Sequence, residues 1–316
     1  DSNQMEHHND HEEFSMNVLE LNHVSKHFGS QPVLRDLSLR VPEHTIYGFI
    51  GENGAGKTTS MKLILGLLAA DGGEIRICGE PVRYGQTKTN RNVGYLPDVP
   101  EFYGYLTPRE YLRLCGQIAG VPDGELKRRS GELLALVGLE AASNRRIGGF
   151  SRGMKQRLGI AQALIHRPKL LICDEPTSAL DPAGRKEIID ILNEIKRETT
   201  VLFSTHILPD IERVCDEIGL LHGGVMALEG RLEEIRALHV QSGFSIEFAD
   251  AQACNQFLPL LPGAVRDASA RLIAPKGTQA DMLQAMAMLT ERGVCPVSVS
   301  LCEPSLESLF LEAANV

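Results

Sequence analysis

Tryptophan is absent from this chain, and aromatic residues of all kinds make up only 5% of its 316 residues. Any local crowding of rings is therefore informative. No run approaches the roughly 18 apolar residues that a membrane-spanning helix needs, and no secretory leader pattern opens the sequence. The seven cysteines, Cys78, Cys115, Cys173, Cys215, Cys254, Cys295 and Cys302, are odd in number and scattered, with no C-x-x-C among them. They fit reduced thiols in apolar settings better than a disulfide framework or a zinc site. A basic excess is also missing: 32 Lys and Arg face 41 Asp and Glu, for a formal net charge of -9. That balance argues against a broad nucleic-acid or anionic-lipid surface.

With 43% hydrophobic and 23% charged residues, the chain can bury a sizeable core, and its length suggests about two domains. Residues 1–16, "DSNQMEHHNDHEEFSM", are polar, acidic and His-rich. They read as a disordered tail. His7, His8 and His11 have no supporting ligand framework for a metal, and Met16 is a plausible alternative start.

"TIYGFI", Thr45 to Ile50, reads as a short buried strand. It runs into "GENGAGKTT", the residues Gly51, Glu52, Asn53, Gly54, Ala55, Gly56, Lys57, Thr58 and Thr59. Helical apolar spacing follows at Met61, Leu63, Ile64 and Leu67. Strand, glycine-rich loop and helix start are the context that G-x-x-x-x-G-K-[ST] requires. The glycines let backbone N–H groups converge on an anion at a helix N-terminus. Lys57 supplies a charge for the terminal phosphates of a nucleotide such as ATP, and the Thr58 hydroxyl can ligate Mg2+.

A second apolar run, "KLLICDEPTSALDP" from Lys169 to Pro182, ends on adjacent carboxylates, Asp174 and Glu175. Neighbouring strand residues point to opposite faces, so the two acids are expected to have different tasks. In phosphate-loop nucleotidases Mg2+ is also held by an acid at such a strand end, and Asp174 fits that role. Glu175 is then placed to polarise the attacking water. Cys173, within the run, reads as a small core residue.

Three further stretches sharpen this reading. "GGFSRGMKQRLGIAQAL", Gly148 to Leu164, resembles the signature motif of ATP-binding cassette (ABC) proteins; "SALD", Ser178 to Asp181, resembles their D-loop; "FSTH", Phe203 to His206, resembles their switch-histidine strand end. Order and spacing agree with that family from about Val18 to Gly230. The resemblance implies that Phe28 stacks on the adenine; its alternative is an ordinary core aromatic. It implies that Ser151 and Gly153 contact the γ-phosphate of a nucleotide on a second cassette. His206 would contact that phosphate in its own subunit, and Asp181 would link the two sites. Two departures stand out. The common L-S-G-G-Q is Phe150-Ser151-Arg152-Gly153-Met154 here. Asp98 occupies the position of the family's usual Gln beside Mg2+ and the attacking water, unless it merely caps a turn in "PDVP".

Strands alternating with helices indicate a mainly parallel α/β sheet. The expected organisation is an α/β nucleotide-binding domain of the phosphate-loop ABC type over 17–237, with a helical insert at about 99–157. Within the insert Thr107, Pro108 and Glu110 form a helix-start signal. A β-α-β-β-α-β order over 238–316 suggests a small ferredoxin-like α+β domain. There Met282, Met286 and Leu289 read as a core face, and Pro304 starts a last helix. "SLESLFLEA" resembles the tail of a subgroup of exporter ATPases, including those for drugs and antibiotic peptides.

A single cassette without a membrane span implies a separate membrane-spanning permease and a second nucleotide-binding domain. The expected function is an ATP-hydrolysing exporter subunit, cytoplasmic and peripheral on the membrane's cytoplasmic face. The alternative is a soluble ABC ATPase acting on DNA or ribosomes, although no long heptad insertion or second cassette is visible. A GTPase is disfavoured because no N-K-x-D occurs. Finally, "EFYGYL" crowds Phe102, Tyr103 and Tyr105 into a loop. It reads either as a permease-docking surface or as rings folded back over the helical insert.

Overall fold

A computed structural model of the chain describes residues 17–86, 88–238, 243–266, 270–274, 277–302 and 306. The expected tail at 1–16, with His7, His8, His11 and Met16, lies outside the described residues. So does the helix expected after Pro304, apart from the buried Leu306.

The first strands are a hairpin. β1 (Asn17–Phe28) and β2 (Gln31–Pro42) are joined at Gly29 and Ser30, where Gly29 takes a positive φ of 61°. So short a link can only join antiparallel strands. β1 also pairs antiparallel with β4 (Gly72–Ile77), which pairs with β5 (Glu80–Pro81). These strands therefore form their own antiparallel sheet, ordered β2-β1-β4-β5, and do not join the parallel one expected from alternation with helices.

The parallel sheet has the order β10-β9-β3-β8-β7-β6. Its members are β3 (Ile46–Ile50), β6 (Val93–Leu96), β7 (Leu170–Asp174), β8 (Thr200–Thr205), β9 (Glu217–His222) and β10 (Val225–Arg231). β3, β7 and β8 are buried along their whole length. Burial on both faces explains why they read as unbroken apolar runs. Only β10 runs antiparallel, through a hairpin at Gly223-Gly224 that the helix-strand alternation did not signal. Helix α1 (Lys57–Ile64) shares one core with both sheets: Leu19, Leu39, Phe49, Met61 and Ile172 lie in the same buried cluster.

Between β6 and β7 stand α2 (Pro108–Ile118), α3 (Asp123–Leu136) and α4 (Arg152–Ala163). The helix-start signal of α2 is a reciprocal capping box. Thr107 N donates to Glu110 Oε2 at 2.8 Å, and Glu110 N donates back to Thr107 Oγ1 at 3.4 Å. α4 continues past residue 157, where the insert was expected to end, and lies along β6. After β7 come α5 (Pro182–Ile195) and α6 (Leu208–Val214).

The chain divides into two units, Asp1–Leu232 and Glu233–Val316. Helix α7 (Leu232–Leu238) spans that division, and the change of texture read at residue 238 falls at its end. The second unit contains β11 (Gly243–Glu247), α8 (Ala251–Phe257), β12 (Val265–Arg266), β13 (Arg271–Ala274), α9 (Gln279–Glu291) and β14 (Ser298–Cys302). Its sheet order is β12-β13-β11-β14, with all pairs antiparallel, which is a ferredoxin-like arrangement. Phe244 and Ile246 of β11 pack with Phe257, Leu272 and Leu289. Met286 departs from the expected core face and is 42% exposed; Ala285 and Leu289 are the buried positions of α9.

The approach of α4 to β6 leaves no room for a side chain at Gly94, where a Cβ would lie 2.3 Å from the Ala163 carbonyl oxygen. Gly94→Ala should therefore destabilise the chain by about 2 kcal/mol, the usual scale for overpacking. A lowered urea midpoint with an unchanged slope is the expected result.

Candidate functional site

The buried strand β3 delivers the chain into the loop at Gly51, where a Cβ would sit 2.7 Å from the Leu221 carbonyl. Gly56 takes a left-handed φ of 112° as α1 begins, and no side chain caps that helix. The N–H groups of the first turn of α1 are thus left for an anion. Lys57 is buried, and its Nζ donates to the carbonyl oxygens of Gly51 and, at 3.3 Å, Glu52. The loop thus holds its own lysine across its mouth.

The two carboxylates of β7 reach this loop by different means. Asp174 is the last strand residue and is buried. Thr58 Oγ1 donates to its Oδ2 at 3.2 Å, and Ser204 Oγ donates to its Oδ1 at 2.8 Å. Burial holds its pKa above the ordinary carboxylate value; the Ser204 and Thr58 hydroxyls oppose that shift, and the charges of Glu175 and Asp98 add to it. Glu175 has a left-handed φ of 48°, so the chain turns instead of continuing the strand. Its N–H donates to the Ser204 carbonyl at 3.1 Å. The expected strand alternation is replaced by a turn that aims both acids at one loop. Glu175 Oε2 lies 2.9 Å from His206 Nδ1, and Glu175 Oε1 lies 3.4 Å from Lys57 Nζ. Lys57, Thr58, Asp174, Glu175 and His206 are thereby gathered from β7, α1 and the end of β8.

Residues 34–178 match the family described as ABC transporter. The chain is 40% identical over 229 residues to the ABC transporter ATP-binding protein YxlF of Bacillus subtilis (strain 168), covering 72% of this chain and 76% of that one. It is 34% identical over 301 residues to the bacitracin transport ATP-binding protein BcrA of Bacillus licheniformis, covering 93% and 96%. This chain belongs to the ABC transporter ATP-binding family. A solved ATP-binding subunit of an ABC transporter superimposes with a TM-score of 0.64 at 36% identity, covering 70% of this chain and 92% of that one.

This ABC protein is therefore an ATP-binding transport subunit and an ATPase, and the reading as an ATPase of DNA or ribosomes is set aside. No helix among the described residues is long and apolar enough to cross a membrane.

Other residues singled out in the sequence lie apart from the five-residue cluster. Phe28 is 50% exposed, which removes the core alternative, and Lys26 Nζ stands 5.7 Å from its ring centroid. Ser151 Oγ caps α4 by accepting from Met154 N at 3.2 Å, and Gly153 follows in the first turn. Asp181 caps α5 by accepting from Gly184 N at 3.1 Å. Among the described residues no hydrogen bond or ion pair links Ser151, Gly153 or Asp181 to the phosphate loop.

The aromatic cluster is split. Tyr103 and Tyr105 are 55% and 65% exposed, with ring centroids 5.8 Å apart. Phe102 is half-buried and lies edge-on to the buried Tyr111 at 5.0 Å; the Tyr103 ring also meets Tyr111 edge-on, at 6.5 Å, so Phe102 contributes less to the exposed surface than the two tyrosines. A ring next to a glycine-containing turn has a packed helix within reach, and Phe102 takes it.

Sequence reasoning missed Ser204 and Tyr95. Ser204 was visible in "FSTH", but only the parallel pairing of β7 with β8 puts it beside Asp174. Tyr95 on β6 lies near both Asp174 and Asp98; burial first, then their charges, push its pKa up to about 12.

Asp174→Asn keeps the shape and removes the buried charge. The Thr58 hydroxyl can reverse to accept from the amide. The nucleotide-free variant should melt a few degrees above wild type at neutral pH while losing Mg-ATP hydrolysis. Burial raises the folded-state pKa of Asp174 above 3.8. Wild type thus loses stability as pH rises through that raised value, and the advantage of Asn should vanish below the ordinary one. Equal melting temperatures at neutral pH would show that the buried charge costs nothing.

Proposed function

We propose that this ATPase powers an exporter by closing head-to-tail on a second cassette, with ATP held between the two. The observation that carries the reading is Glu175, poised between Lys57 and His206 beside the Thr58–Asp174 pair. Glu175 takes the proton of the attacking water as general base. His206 orients that carboxylate in the nucleotide-free chain and meets the γ-phosphate when ATP is bound. Lys57 leaves Glu175 for the phosphates, and Phe28 offers its exposed face to the adenine. Ser151 and Gly153 face the second cassette's nucleotide, and Asp181 links the two sites.

Thr58 and Asp174 present hard oxygen donors side by side, and no three or more His, Cys, Asp or Glu side chains are placed together to hold a metal ion among the described residues. That donor set suits Mg2+, which takes one or two protein oxygens together with phosphates and water. Asp98 adds a carboxylate nearby. When bound, Mg2+ neutralises phosphate charge. Similarity to the bacitracin transport protein BcrA supports export of an antibiotic-like compound. The chain would work on the cytoplasmic face of the membrane, attached to a permease.

Glu175→Gln should still bind Mg-ATP, but its turnover should fall by about a hundredfold or more. It should also accumulate as an ATP-bound dimer on size exclusion. Normal turnover would move the base elsewhere.

Tyr103 and Tyr105 form the exposed rings of the loop before α2, and exposed aromatics are favoured interface anchors. We assign them to permease docking. A Tyr103→Ala/Tyr105→Ala protein should fold and hydrolyse ATP alone, yet fail to co-purify with the permease. Retained assembly with normal transport would refute that assignment.

A further inference from the structure

Two positions depart from the usual family pattern, and they meet in space. Asp98 follows β6, and Arg152 opens α4. Arg152 Nη2 lies 3.4 Å from Asp98 Oδ1 and 3.4 Å from Ser178 Oγ. Ser178 donates to the same Asp98 oxygen at 2.6 Å. Three segments therefore converge on one carboxylate: the end of β6, the first turn of the signature helix, and the turn after β7. The backbone is tied as well. The buried Gln156 of α4 donates through Nε2 to the Asp98 carbonyl at 2.7 Å.

The pairing has an electrostatic reason. Asp98, Asp174 and Glu175 are three acids near one loop, and Asp98 is among the charges that bear on Asp174. A neutral Gln at position 98 would need no counter-charge, and a Gly at position 152 could not supply one. The side chains of Arg152 and Asp98 are 44% and 48% exposed. An ion pair so open to water is weak and can be exchanged for a better partner.

We infer that Arg152 is a positioning residue that latches Asp98 in the nucleotide-free chain and releases it when a second cassette brings its ATP. The release rests on the proposed reading that Ser151 and Gly153 face that nucleotide, since Arg152 stands between them. A phosphate accepts paired guanidinium hydrogen bonds and outcompetes one exposed carboxylate. Closure thus moves Arg152 from Asp98 to the γ-phosphate and leaves Asp98 held by the Ser178 hydroxyl alone, a single neutral donor it gives up as it turns toward the Thr58–Asp174 pair. The latch ties occupancy of one site to the arrangement of the other.

A double-mutant cycle tests the latch directly. Arg152→Gly, Asp98→Asn and the double variant are melted without nucleotide. They are melted again with Mg-ATP in a Glu175→Gln background that holds the closed dimer. Without nucleotide each single variant should lower the melting temperature, and the double variant should melt no lower than the worse single one. With Mg-ATP that coupling should disappear, whereas a merely structural contact would keep it. Arg152→Lys retains the charge and should restore part of the coupling if Arg152→Gly folds poorly. Additive shifts without nucleotide, or the same coupling in both states, would overturn the latch.

Mg2+ titration of the ATPase separates this from the reading of Asp98 beside the metal. Arg152→Gly should lower the half-saturating Mg2+ concentration by up to about fivefold, the range of an exposed ion pair. Asp98→Ala should raise it. Unchanged titrations with an intact nucleotide-dependent coupling would remove the metal reading and keep the latch.

Discussion

Asp174 is buried at the end of β7 with the hydroxyls of Thr58 and Ser204 on its two oxygens. Those bonds join the start of α1, the end of β7 and β8 at one carboxylate. A charge in this setting is unfavourable for the nucleotide-free fold, because burial takes it from water and raises its pKa. In the proposed reading the same charge is wanted once phosphates and Mg2+ arrive. The neighbouring features accommodate it: a helix start with no side-chain cap, a buried lysine and a turn that swings Glu175 out of the strand.

The left-handed backbone at Glu175 matters as much as the acid itself. In a continuing strand, Asp174 and Glu175 would face opposite sides of the sheet. With φ at 48° the second carboxylate instead comes round to Lys57 and His206. Strain of this kind in a residue other than glycine is stored at functional sites and held by the surrounding structure. Here the Ser204 carbonyl and hydroxyl both bond the Glu175 N–H. β8 therefore holds Glu175 in place while its strand end carries His206.

The loop before α2 and the starts of α4 and α5 carry residues that take no part in the five-residue cluster. Ser151 and Asp181 are occupied only with capping their own helices. Tyr103 and Tyr105 are exposed, while Phe102 and the edge of Tyr103 tie their loop to Tyr111. In the proposed reading the chemical groups sit in one place, and the groups assigned to a second cassette and to docking sit elsewhere. The Asp98–Arg152–Ser178 cluster lies where these regions join.

Much of this was legible in the chain alone, because the phosphate loop and the carboxylate strand obey local rules. Glycines must stand where backbone approaches a ligand, apolar runs must stand where a strand is buried on both faces, and Thr107 to Glu110 carry their cap with them. Each is a relation between residues close in sequence. Tertiary structure alone decided the separate antiparallel sheet, the β9–β10 hairpin, the edge-on packing of Phe102 against Tyr111, Ser204 beside Asp174, and Arg152 beside Asp98. These depend on strand order and on helix α4 lying along β6, which bring together residues far apart in the chain. Local pattern carries no term for such contacts.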